Sequence, residues 1–166
     1  MLKFTDKTYY ALGIVASTAN IIGGAAFILG SYLSLIFSIA SILGGAMMLF
    51  LTSGAKGDRK KQLMLFFSSI MLLCSMLGGI IGTVGGALAW PLFALWYFLD
   101  TKGEESNVHT MAFVTMLCGV IQLALSFFPL EQRVMGCLAI AFAAVQGVFA
   151  WVLFQREKQR QSENPE

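Results

Sequence analysis

Charge is what this sequence has least of. Only 12% of its 166 residues are Asp, Glu, Lys or Arg, about half the ~25% usual in a soluble domain, while 57% are hydrophobic against roughly 45–50%. A water-soluble fold of this size has too much surface to cover with so few charges, so a membrane-embedded chain is expected. The eleven Lys and Arg residues stand at the chain ends and in one loop. They are not gathered on one face of a domain, which argues against nucleic acid as a partner.

Chemistry-bearing groups are equally scarce. Cys74, Cys118 and Cys137 sit inside apolar runs, none with a second Cys or a His at metal-ligand spacing, and a disulfide framework belongs to short, loop-rich secreted chains. His109 is the sole histidine, with Glu104 and Glu105 upstream. These are too few convergent ligands for a metal site, and they are expected to be solvated. No Ser or Cys has a His or Lys base placed near it in sequence. The Gly pairs lack the Lys-Ser/Thr ending or strand context of a phosphate loop. Neither an enzyme, a cofactor nor a metal is expected. Asp100, His109, Glu131 and Arg133 stand at the ends of the expected spans and not inside them, which weakens a proton relay or a charged-substrate path.

What is present is length of apolar sequence. A helix needs about 20 residues to cross ~30 Å of hydrocarbon, and the run from Tyr9 to Thr52 holds 44, enough for two crossings with a turn near Gly30-Ser31. Lys3 and Lys7 could open a signal peptide, but the apolar stretch runs too far for one. The stretch from Leu63 to Leu99 holds 37 residues and is expected to turn within Gly78 to Gly86. The last, Val108 to Phe154, is divided by Phe128-Pro129-Leu130-Glu131-Gln132-Arg133, where proline stops a helix.

The expected fold is therefore all-α: a polytopic membrane bundle of six transmembrane helices in three hairpins, over about 9–29, 32–52, 63–81, 84–99, 108–127 and 132–154. Residues 1–155 form this domain and 156–166 a short polar tail. Ten basic residues (Lys3, Lys7, Lys56, Arg59, Lys60, Lys61, Lys102, Arg156, Lys158 and Arg160) fall on one side and Arg133 alone on the other. Cytoplasmic loops are enriched in Lys and Arg, so both termini are expected to be cytoplasmic. Four spans is the alternative, if the Gly-rich hairpin is re-entrant. The chain's size and its lack of an Asn-X-Ser/Thr acceptor suggest a multi-pass protein of a cell inner membrane.

Four segments carry a short polar residue, two apolar residues and a small pair: Asn20 to Gly24, Ser41 to Gly45, Ser75 to Gly79 and Thr115 to Gly119. The copies in the first, third and fifth helices would point the same way, and simple close packing of small residues explains them. The stretch from Lys60-Lys61-Gln62-Leu63 into Met76-Leu77-Gly78 resembles YgjV-type inner-membrane proteins of the PQ-loop transporter clan, over about a quarter of the chain. That resemblance implies a membrane transporter, but the Pro-Gln dipeptide of the clan is absent and no site is carried over. The hairpin layout is also similar to HdeD-type acid-resistance proteins.

Uncharged polar groups remain. Asn20, Gln122 and Gln146 lie in spans and must find partners there, while Trp90 and Trp96 flank Pro91, which breaks the fourth helix. Interhelical hydrogen bonds account for the amides. The sharper expectation is a lining of Asn20, Trp90, Trp96, Gln122 and Gln146 for a small neutral or aromatic solute, as broken helices offer in transporters. A small-molecule transporter or permease is thus the first expectation. A non-catalytic scaffold, stress-response or assembly subunit, binding a second copy or another membrane protein through Gly-rich faces, is the second. The lipid bilayer is a partner under both.

Overall fold

The computed structural model describes residues 6–29, 36, 39, 42–47, 59–74, 79–100, 106–125 and 127–163. Every regular element among them is helical. The helices are α1 (Asp6–Ile28), α2 (described at 42–47, with 36 and 39 also helical), α3 (Arg59–Cys74), α4 (Gly79–Asp100), α5 (Ser106–Leu125) and α6 (Gln132–Glu163). Among the described residues, three stretches are long and apolar enough to cross a membrane: Tyr10–Ile28, Asn107–Leu125 and Arg133–Glu163.

Two boundaries differ from expectation, each for a physical reason. The middle hairpin was expected to turn within Gly78 to Gly86, yet α3 ends at Cys74 and α4 already begins at Gly79. Away from water the backbone has no competing partner and must bond to itself, so glycine can stay helical. Gly85 has a further use, since a Cβ there would lie 2.5 Å from the Cys74 sulfur. The Ser75 to Gly78 part of the repeat and Ser41 lie outside the described residues. At the other end the expected polar tail is helical through Glu163. Gln155 to Gln161 is a run of good helix formers, so the helix continues past the end of its apolar stretch at Phe154.

Antiparallel order follows from the contacts. Along α1, Gly13 meets Ala150, Ser17 meets Gly147, and Gly24 meets Gly136 and Ile140 of α6. Rising numbers on one helix meet falling numbers on the other. The same holds for α3 with α4, through Phe67 with Phe93 and Cys74 with Gly85, and for α4 with α5, through Pro91 with Gly119 and Phe98 with His109. Helices α1, α3 and α5 therefore run parallel, as the repeat implied. The start of α1 and the end of α6 share one end of the bundle. Arg59, Arg156, Lys158 and Arg160 lie at that end and Arg133 at the other.

The described helices are apolar on both sides. The interior is hydrophobic, and large apolar side chains also face outward: Val15, Ile22 and Phe27 on α1, Leu92, Leu95 and Leu99 on α4, and Phe113, Leu117, Val120 and Ile121 on α5. An exterior this apolar among the described residues is consistent with a membrane surface. Small residues occupy the contacts, because in lipid the association of helices depends on close packing.

The repeat has a consistent asymmetry. In the three copies whose contacts are described, its second small residue makes the tight contact: Gly24 against Ile140, Gly45 against Leu73 and the Ser69 carbonyl, and Gly119 against the Pro91 ring. The first is loose, with nothing within 4 Å of a Cβ at Gly23 and only Leu72 at 3.7 Å from one at Gly44. Gly23→Ala should therefore be tolerated or stabilising by about 0.5–1 kcal/mol, since alanine is the better helix former. Gly119→Ala should cost about 1–3 kcal/mol by overpacking. Thermal midpoints of the purified full chain in detergent read both, and equal midpoints for the two variants would refute the asymmetry.

Candidate functional site

The centre of the bundle is aromatic. Trp90 and Phe93 of α4 and Phe149 of α6 are fully buried. Edge contacts join Trp90 to Phe93 at 5.5 Å and to Phe149 at 6.1 Å, and Tyr97 to Phe149 at 5.9 Å. Edge-to-face geometry sets the positive rim of one ring against the negative face of the next. Space for so large a residue as Trp90 comes from glycine. A Cβ at Gly13 would stand 3.4 Å from the indole Cη2, 3.3 Å from Ala150 and 3.5 Å from the Met64 sulfur. Four helices thus converge on one indole.

One turn further along these helices, about 6 Å by the helical rise, lie Ser17 on α1, Ser68 on α3 and Gln146 on α6. All three are buried. Ser17 is the central residue of α1 and Trp90 lies at the middle of α4, so this polar layer crosses the bundle midway. Ser17 Oγ, Ser68 Oγ and Trp90 Nε1 have no hydrogen-bond partner.

Their neighbours behave differently. Thr18 donates to the Ile14 carbonyl (2.9 Å), Ser69 to Leu65 (2.7 Å) and Thr115 to Met111 (2.8 Å). These are the i−4 bonds by which helical hydroxyls satisfy themselves. Ser17 and Ser68, each beside a residue that does this, do not. A buried polar group left unsatisfied costs about 1–3 kcal/mol, and here three stand within about one helical turn of each other along the bundle.

The five residues singled out from sequence divide between levels. Gln146 belongs to the polar layer, and Trp90 stands one turn below it. Asn20 is one turn above on the α6-facing stripe of α1, half-buried, its amide donating to the Ala16 carbonyl at 3.3 Å. Gln122 lies on α5 one turn beyond Cys118, with a buried and unpartnered Oε1. Trp96 sits apart from that layer, half-buried and stacked on Phe93 at 6.3 Å. His109 belongs to α5 and not to a solvated loop, and its ring packs 4.9 Å from that of Phe98, since the helix starts at Ser106.

Three participants were missed. Ser17 and Ser68 were not singled out from the sequence. Arg156, assigned to the tail, is only 9% exposed, and its Nη1 donates to the Tyr97 hydroxyl at 3.0 Å. A signal existed, because Gln146, Phe149, Leu153 and Arg156 form one buried helical stripe that passes beyond the end of the apolar run. No protein-family model, curated protein or solved structure matches the chain, so its function must be argued from this geometry.

The Arg156 to Tyr97 bond ties the end of α6 to α4 in a buried setting. Hydrogen bonds to charged groups contribute about 1.5–3 kcal/mol, so Tyr97→Phe should lower the thermal midpoint by several degrees. An unchanged midpoint in Tyr97→Phe would remove the bond from any account of stability.

Proposed function

We propose that the chain is a multi-pass protein of a cell inner membrane, with six spans and cytoplasmic termini, that passes a small neutral or aromatic solute. The observation that carries this is the middle of the bundle, where Ser17 and Ser68 in the polar layer and Trp90 one turn below it hold buried polar atoms without partners. A bundle built only to be stable would place apolar residues or self-bonded hydroxyls there. Unsatisfied donors and acceptors, cost included, are what a binding site needs, because a solute with complementary groups recovers that cost. Indole and phenyl faces below the layer suit an aromatic or partly apolar solute. No ionisable group stands in the layer, which favours an uncharged one.

Gln146 and Gln122 would extend the polar lining along the axis, with Asn20 above, and Trp96 would lie toward the basic end of the path. A scaffold acting through Gly-rich faces is the weaker reading, because Gly24, Gly119, Gly136 and Gly147 are occupied by contacts within the chain.

The test is flux across liposomes holding the full chain, with a panel of neutral solutes from glycerol to nicotinamide. At least one class should move about tenfold faster than through protein-free vesicles. Ser17→Ala with Ser68→Ala, and separately Gln146→Leu, should each lower that rate by about tenfold, the equivalent of one good hydrogen bond. Flux that is intact in every variant would discard the site. No flux for any solute, together with a stoichiometric membrane companion on purification, would favour the scaffold.

A further inference from the structure

A second feature lies at the basic end of the bundle and is independent of the polar layer. Between the first turns of α5 and the last turns of α6 is a cavity of about 450 Å³. Arg156, Gln155 and Gln159 line it from α6, Asn107 and Thr110 from α5, with apolar side chains between them, and Trp151 stands beside it half-exposed. Among the described residues no carboxylate lines it. Every polar side chain in the lining can donate a hydrogen bond, and the first turns of α5 add the positive end of a helix dipole. The guanidinium is held in place, since one of its N–H groups donates to Tyr97.

Depth identifies the ligand. Arg156 is ten residues beyond Gln146 on α6, about 15 Å along the axis, which is half of a ~30 Å hydrocarbon core. If the polar layer lies at the bilayer centre, the cavity opens at the headgroup level, where Trp side chains prefer to sit. A fixed guanidinium surrounded by amide and hydroxyl donors matches a phosphodiester, which guanidinium recognises with paired N–H bonds. Basic pockets between membrane helices bind anionic headgroups on these terms. We propose that this cavity seats the phosphate of an anionic phospholipid, its acyl chains lying along the apolar faces of α5 and α6. It rests on the membrane placement above and not on the solute assigned to the polar layer.

The full chain, extracted in mild detergent and examined by native mass spectrometry with added phosphatidylglycerol or phosphatidylcholine, tests it. Wild type should retain phosphatidylglycerol about tenfold better than phosphatidylcholine. Gln159→Glu, which places a negative charge in the lining at an exposed position and leaves the buried Arg156 contact intact, should abolish that preference. Arg133→Gln, at the opposite end, should keep it. Arg156→Gln should also abolish it, and if that variant does not fold, Gln159→Glu alone decides.

Equal retention of both lipids by wild type, or an unchanged preference in Gln159→Glu, would overturn the proposal. A parallel titration with inorganic phosphate separates the two sources of the same chemistry. Displacement of phosphatidylglycerol only at phosphate concentrations far above those of the lipid supports a headgroup site. Stabilisation by phosphate without any by phosphatidylglycerol would overturn the lipid assignment.

Discussion

The close approach of α1 and α6 is the contact on which the rest depends. Glycine or small residues meet at each step of this antiparallel pair, and at Gly24 and Gly136 each Cβ position would stand 3.4 Å from the other's carbonyl oxygen. Ile28 and Ile140 fit in the seam only because each faces a glycine, Gly136 and Gly24, of the opposite helix. Only because Gly13 and Ala150 keep them together does the indole of Trp90 find a shallow bed of backbone and methyl groups. The aromatic cluster then follows, since Phe149 stands one residue before Ala150 and meets Trp90, Phe93 and Tyr97. First and last helices are thus joined directly, and the ends of the chain are brought to one side.

Within that frame the interior is unevenly satisfied. Most hydroxyls in the helices bond to the carbonyl one turn back and cost little. Ser17, Ser68 and the Trp90 indole are different, and all three stand midway along the bundle. Lipid offers no hydrogen bonds to the outside of these helices, so the unmet hydrogen bonds of these three groups can be satisfied only from inside the bundle. Stability and binding pull in opposite directions at this level, as they do wherever a site is held ready.

Much of the architecture was legible from composition. Apolar length divided by the span of a bilayer placed α1, α5 and the start of α6 within a few residues, and the repeat predicted that α1, α3 and α5 run the same way. Glycine misled in the middle hairpin, because the rule that glycine marks turns assumes water as the competing partner. The site was half legible. Amides and tryptophans stand out among apolar residues, so Trp90 and Gln146 were found. Ser17 and Ser68 were not, because a serine that bonds to its own helix and one that does not are the same letter. Arg156 was hidden by its place beyond the apolar run, although it continues a buried stripe.

Pro91 stands inside α4, where its ring denies the Ala87 carbonyl its helical donor, and that ring is seated in the notch left by Gly119 on α5. A helix weakened at one point bends there, and the direction of bending is set by what touches the weak point. Here α5 touches it, with Phe98 against His109 and Phe113 as a second hold further along. Pro91 thus seats α4 in the notch of Gly119 on α5, while Trp90, the residue before it, reaches Gly13 on α1: one short segment of α4 joins both sides of the bundle.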